Sequence, residues 1–469
     1  MTNFSTVDAT THGIDLEALR VQVDQSFTGI VDELRHLVSI PAIAWESFDP
    51  ENLERSAQAV AQLAETAGMD NIEILREPTD SGSLGSPAVV ARRAAQPGKP
   101  TVLLYAHHDV QPPGNEADWN TPVFEATEIN GRLYGRGAAD DKAGIMVHVA
   151  AMRAVLSLCE DFGVGVTYFI EGEEEAGSPS FRNFLEAHQD KLKADLIIVA
   201  DSSNWAVGTP ALTSSLRGMA AAEITVRSMN HAVHSGMFGG PVLDAPLLAA
   251  KLISSFHDEK GNVAVAGLRS FESAEVDFAE ADFRRDSGIL DSVELAGEGK
   301  LTDRLWHKPA LSVIGLDMPA VAQSSNTLIP QVRFKVSMRL APGQDPHKAL
   351  EALEAHVRSV DLRGAEVGFE GTEAGSAYRA AEGTKSTQIA QWALANAWGC
   401  EPVSMGLGGS IPFIADLSEV FPEAQILVTG VEDPDSRAHS ANESLHLGDF
   451  KNAIIAEALL LARINAQGL

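Results

Sequence analysis

The chain has 469 residues, 45% of them hydrophobic, and its 35 Lys and Arg face 65 Asp and Glu for a formal net charge of −30. That length exceeds one hydrophobic core and points to two or three domains. So acidic a surface repels phosphate backbones and anionic lipid headgroups, which argues against nucleic-acid and membrane roles. An anionic substrate would need a local cationic anchor. The two cysteines, Cys159 and Cys400, lie far apart and read as reduced thiols. The polar Met1–Gly13 stretch and the lack of any run of about 18 apolar residues predict a cytoplasmic protein.

Taken in chain order, Leu16, Leu19, Val23, Phe27, Ile30, Val31, Leu34, Leu37 and Val38 fall at helical spacing, and the helix should stop near Pro41. A second helix is predicted over 53–67, with Gly68 as its end signal. Apolar, β-rich runs follow at 89–91, 102–105, 164–170 and 196–199, with a helical stretch over 144–158 between them. Strands alternating with helices predict an α/β domain with a largely parallel, buried sheet. The style changes after Thr213: strands at 220–227, 331–340 and 365–370 are interleaved with helices at 247–256 and 349–360. From Ser376 the first style resumes, with a helix through 390–397, a strand at 426–428 and a closing helix over 450–464. The expected architecture is a catalytic domain of residues 1–213 and 376–469, its mostly parallel central sheet flanked by helices. A smaller α+β lid or dimerisation domain, 214–375, interrupts it.

Five acidic or histidine clusters sit where strands should end: His107-His108-Asp109, Asp140-Asp141, Glu173-Glu174-Glu175, Asp201 and His439. One such cluster is usually solvated loop charge. Several delivered to the same sheet edge suit a ligand crevice, because open α/β sheets bind ligands beyond the carboxyl ends of their strands. Carboxylate oxygens and imidazole nitrogens are donors for divalent transition metals, and their number suits two ions sharing a bridging carboxylate. The i, i+2 spacing puts His107 and Asp109 on one side of an extended chain, so Asp109 can orient the ring, while His108 packs or faces solvent. Adjacent carboxylates at 173–175 repel unless a cation lies between them. One can ligate while a neighbour serves as general base, and the residues alone leave open which does which. Gly135-Arg136-Gly137-Ala138-Ala139-Asp140-Asp141 superficially looks like a phosphate loop, but it lacks the Lys-Ser/Thr ending and reads as a tight turn presenting Asp140.

At these residues the chain resembles the dinuclear zinc metallopeptidase family of carnosine dipeptidases, carboxypeptidase G, aminoacylases and succinyl-diaminopimelate desuccinylase. The resemblance runs through the segments Tyr105–Pro112, Leu133–Gly137 with Asp140-Asp141-Lys142, Glu171–Ser178 and Asp201. It continues through His234-Ser235-Gly236, Thr327–Pro330, Arg339, Gly408–Pro412 and Ala438-His439-Ser440, in the family's order. Tyr105–Pro112 and Gly408–Pro412 are most similar to the dipeptidase branch. Thr327 and Arg339 lie one residue closer together than in the carnosinase pattern.

The resemblance implies that Asp140 bridges two divalent ions, zinc first with manganese or cobalt as alternatives. His107 and Asp201 would complete one site, and Glu175 and His439 the other. It makes Glu174 the general base, Asp109 the partner of His107, and the Asp140–Asp141 peptide cis. His234 becomes the donor to the developing oxyanion. Arg339 becomes the anchor of the substrate carboxylate through a bidentate fork, with Thr327, Gly409 and Ser410 also contacting substrate. The implied protein is a homodimer through the lid, whose histidine can reach the neighbouring subunit's site. Its expected reaction is hydrolysis of a small peptide with a free C-terminal carboxylate, and the alternative is deacylation of N-acyl amino acids on the same scaffold. A scaffold that lost catalysis would lack Glu174 or a ligand, and none is missing. A dinuclear phosphoesterase would need a basic phosphate cluster, and none accompanies the site.

Overall fold

The computed structural model describes residues 13–381, 383–409 and 412–469. The chain divides into two compact units. The first comprises the residues up to Ser214, Ala380–Met405 and Asp416–Leu469; the second comprises Ser215–Arg379 and Gly406–Ala415. The Gly406–Ala415 segment, expected in the catalytic domain, is grouped with the second unit.

In the first unit, the opening helix spans Leu16–Val38. Asp15 caps it by accepting from the Ala18 N–H at 2.8 Å, and it ends three residues before Pro41. Leu19, Val23, Ile30, Val31, Leu34, Leu37 and Val38 form its buried stripe. The helices Lys142–Leu158 and Leu447–Gln467 are buried on most of their surface. They pack against each other, and Lys142–Leu158 also packs on the Thr101–His107 strand.

The sheet between the helices is parallel at its centre. Gly165–Glu171, Thr101–His107, Leu196–Val199 and Gln425–Val428 are neighbours in that order, all running the same way. Antiparallel strands flank them: Ala88–Arg93 and then Asn71–Leu75 on one side, Ala211–Leu216 on the other. The central strands are covered on both faces, which explains their unbroken apolar runs such as Val102-Leu103-Leu104. Because the four strands are parallel, all four carboxyl ends open on one edge. A small three-stranded sheet, Ser444–His446 with Arg132–Tyr134 and Thr127–Ile129, lies apart from this one.

The second unit carries a four-stranded antiparallel sheet in the order Ala310–Asp317, Gln331–Leu340, Gly218–Arg227, Glu366–Gly375. Along Gln331–Leu340, Val332, Phe334, Val336, Met338 and Leu340 are buried and alternate with more exposed residues. The helices Ala245–Ser254 and Pro346–Ser359 pack on that apolar face. A short ribbon pairs Val233–His234 with Thr327–Leu328. Among the described residues, no helix is long and apolar enough to cross a membrane.

Candidate metal centre

The acidic and histidine clusters converge on the carboxyl edge of the parallel strands. His107 is the last residue of its strand, and Asp201 lies two residues beyond Val199. Glu174 and Glu175 belong to a single 3-10 turn following the Gly165–Glu171 strand. Asp140 precedes the Lys142–Leu158 helix, and its peptide bond to Asp141 is cis, as the resemblance implies. His439 sits in the loop after Gln425–Val428 with φ of 63°, a left-handed conformation costing on the order of 1–3 kcal/mol and concentrated at functional sites.

Two groups of three side chains form there, and Asp140 belongs to both. In the first, His107 Nε2 lies 3.1 Å from Asp140 Oδ1 and 3.9 Å from Asp201 Oδ1. In the second, His439 Nε2 lies 3.0 Å from Asp140 Oδ2 and 3.1 Å from Glu175 Oε2. Within each group the candidate donor atoms are no more than 4.8 Å apart. A set of one imidazole and two carboxylates, one of them offering an oxygen to each side, fits a pair of divalent ions by donor chemistry. All five ligands expected from the sequence are in these groups. Glu174 is in neither.

The electrostatics follow from burial and proximity. Burial raises the Asp201 carboxyl to about 7, with the positive His107 acting against it. For Asp140 burial acts upward too, but hydrogen bonds from His107 and His439 outweigh it and hold the group below the ordinary carboxylate range. The His439 imidazole is pushed up to about 11 by its hydrogen bonds to Asp140 and Glu175. Burial first, and then the negative charge of Asp201, raises Glu174 well above an ordinary glutamate. A divalent cation competes with these protons for the same atoms.

Asp109 does more than orient His107. The ring's Nδ1 is 3.1 Å from the Asp109 carbonyl oxygen and 3.4 Å from its carboxylate. That carboxylate also accepts the Glu174 and Glu175 N–H groups, each at 3.1 Å, so it fixes the turn bearing both glutamates. His108 is fully buried, with Nε2 2.8 Å from the Pro87 carbonyl oxygen, which realises the packing role. Glu173 accepts from the Ser86 and Ser180 N–H groups at 2.7 and 2.8 Å and serves as a loop tie. Trp119 is buried and stacks under Arg136 at 5.4 Å, packing beside the site.

Four further residues were not singled out from the sequence. Gln111 donates to Glu175 Oε2 at 2.6 Å, steering that carboxylate. Glu432 lies close enough to Asp140 and Asp201 for their charges, after burial, to raise its carboxyl. Glu443 and Arg136 form a buried ion pair at 2.7 Å behind Asp140. Gln111 and Arg136 fell inside recognisable motifs; Glu432 sits in an acidic loop beside Asp433 and Glu443 is an isolated loop acid, so neither carries a metal-site signal of its own.

The expected substrate residues lie in the second unit. His234 is exposed and Thr327 half-buried, and the two are direct partners in the short ribbon. Arg339 is half-buried near the far end of the Gln331–Leu340 strand, paired with Met219 and Ala310. Gly409 is exposed. Ser410 lies outside the described residues. Arg217, missed from the sequence, is buried, donates to the Gly408 carbonyl at 2.9 Å and stands near Arg339. Burial, and then the like charge of Arg339, lowers it to about 10.

Residues 103–463 match the model of Peptidase family M20/M25/M40. The cysteinylglycine-S-conjugate dipeptidase of Corynebacterium striatum is 32% identical over 439 residues, covering 92% of this chain and 94% of that one. The chain belongs to Peptidase family M20/M25/M40. A Beta-Ala-His dipeptidase of Rattus norvegicus is 27% identical over 474 residues, covering 94% of this chain and 93% of its own. Among solved structures, the di-peptidase Dug1p of Saccharomyces cerevisiae superposes with a TM-score of 0.76 at 22% identity, over 98% of this chain and all of that one. The family assignment makes the chain a hydrolytic enzyme.

Proposed function

We propose that this M20/M25/M40 enzyme is a metal-dependent dipeptidase that hydrolyses the amide bond of small peptides bearing a free C-terminal carboxylate. The observation that carries the reading is the pair of candidate ligand groups sharing Asp140, with the half-buried Glu174 near them and outside both. The similarity to dipeptidases of Corynebacterium striatum and Rattus norvegicus supports the substrate class.

His107, Asp140 and Asp201 would hold one ion, and Asp140, Glu175 and His439 the other. When bound, the ions supply an acidified water and a polarised carbonyl. Glu174 takes the proton from the attacking water and passes it to the leaving amine. A carboxyl raised by burial takes up that proton more readily than it would in water and holds it until the leaving amine accepts it. Asp109 fixes the turn that aims Glu174. Arg339 holds the substrate carboxylate, with Thr327, Gly409 and Ser410 as further substrate contacts, and His234 donates to the developing oxyanion. Zinc is the proposed metal, because imidazole and carboxylate suit it; manganese and cobalt accept the same donors.

The proposed assembly is a cytoplasmic homodimer through the second unit. The Ala310–Asp317 strand is a sheet edge, and on and after it Val313, Ile314, Leu316, Met318 and Val321 are exposed, Val321 by 90%. Uncovered apolar side chains on an open edge favour pairing with another copy. Gln331 and Arg339 are eight residues apart on one strand, roughly 26 Å at about 3.3 Å per residue. The His234–Thr327 ribbon leaves from the Gln331 end, whereas a dipeptide spans at most about 7 Å. That separation supports His234 and Thr327 serving the neighbouring subunit's substrate.

Purified enzyme assayed against a panel of dipeptides and N-acetyl amino acids tests the substrate class. Turnover of dipeptides is expected. Activity confined to N-acetyl amino acids would replace the dipeptidase reading with the deacylase one.

A further inference from the structure

We propose that Glu443 is a positioning residue of the metal centre. Its carboxylate is an internal anion that fills the glycine loop and locks the loop bearing Asp140 to the loop bearing His439. The proposal rests on the two-ion reading above and concerns a residue that reading does not use.

The 135–140 loop has the form of an anion cradle, with the N–H groups of Gly137, Ala139 and Asp140 converging on one carboxylate. Its occupant is part of the chain. Glu443 Oε2 accepts the Gly137 N–H at 2.9 Å, and Oε1 accepts those of Ala139 at 3.0 Å and Asp140 at 3.2 Å. Arg136 Nη1 donates to Oε2 at 2.7 Å. The Glu443 carbonyl also accepts the Gly135 N–H at 3.0 Å. Both Glu443 and Arg136 are buried. The turn needs Gly137, whose φ is 83° and whose missing Cβ would collide with Val110. The phosphate-loop look of the sequence thus has a physical basis, except that the anion is a glutamate.

Two ligands depend on this knot. Asp140, the shared ligand, has its own N–H on Glu443. His439 is four residues upstream of Glu443, and Arg136 Nη2 reaches the carbonyl of the intervening Ser440 at 3.4 Å. Beyond Glu443 the chain enters a strand in which Ser444 pairs with Tyr134. The segment that carries His439 is therefore stitched to the segment that carries Asp140. His439 needs the stitching: its side chain is 57% exposed, whereas the His107 side chain is fully buried and held by its neighbours. Removing the Glu443 carboxylate should free His439 first.

The test is titration of zinc into the dialysed, full-length wild type, Glu443→Ala and Glu443→Gln, with binding steps resolved by calorimetry and folding checked by thermal melts. Wild type should bind two ions. In Glu443→Ala the weaker step should lose about 10- to 100-fold in affinity, as for other groups that orient metal ligands, while the tighter step changes by no more than about threefold. Glu443→Gln keeps the volume and one carbonyl acceptor, so its loss at the weaker step should be intermediate. If Glu443→Ala does not fold, Glu443→Gln decides alone. A purely structural role would lower the melting temperature and leave the ratio of the two affinities unchanged. That result, or wild-type affinities at both steps in a folded variant, overturns the proposal. A wild type that binds fewer than two ions refutes the two-ion reading and this proposal together.

Discussion

The candidate metal centre and the proposed substrate residues are built on opposite principles. In the first unit, the site's charged groups other than His439 are buried or half-buried at the ends of a parallel sheet, several of them held by multiple hydrogen bonds, as Asp109 and Glu443 illustrate. In the second, His234 and Gly409 are exposed, and Arg339 and Thr327 only half-buried. Buried acids and imidazoles must be matched to one another or to a cation, so the chemistry that makes the reaction is pre-assembled within one unit. Groups that recognise substrate can stay exposed until the substrate, or a second subunit, covers them. The contrast makes a clear demand: changes in the first unit should alter metal content or turnover, and changes in the second should alter binding of substrate or of the developing oxyanion without touching metal.

The largest effect is expected from Asp140→Ala, which removes a ligand from both groups. Metal analysis should find neither ion retained after dialysis, and dipeptide turnover should vanish; retention of two ions would break the sharing. Glu174→Gln should lower turnover by about 10²–10⁴-fold while the metal content stays that of the wild type, measured on the same preparation. His234→Ala should cost about 10²–10³-fold in kcat with unchanged metal. Mixing it with Glu174→Gln subunits should restore about a quarter of wild-type activity, since half the dimers are then mixed and each has one complete site. No recovery on mixing would place His234 in its own subunit's site. The smallest effect is Arg339→Ala: a KM increase of about tenfold to a hundredfold for peptides with a free carboxylate, and little change for amide-capped ones. An equal effect on both would remove Arg339 as the anchor.

The part of this contrast legible in the sequence was its first half. Central strands buried on both faces leave unbroken apolar runs, so the ends of Thr101–His107, Gly165–Glu171 and Leu196–Val199 could be found and the metal-type residues placed beside them. Flanking strands were missed where that signal fails. Asn71–Leu75 has no fully buried residue, and the edge strand Ala310–Asp317 is largely exposed and breaks register at a bulge. Groups that act on backbone N–H donors were equally invisible. Glu443 works through loop amides more than three hundred residues away, and nothing in its neighbours' identities marks it. Gly406–Ala415 follows the Lys385–Trp398 helix with no break in composition, so its grouping with the second unit could be seen only in space.

The central claim, two ions with one shared carboxylate, is tested most directly by anomalous diffraction at the zinc edge from zinc-loaded crystals of the full chain. The account predicts two peaks, roughly 3.5–4 Å apart, with the Asp140 carboxylate between them. His107 and Asp201 should flank one peak, and Glu175 and His439 the other. A single peak, or two peaks with Asp140 bound to neither or only one, would contradict it.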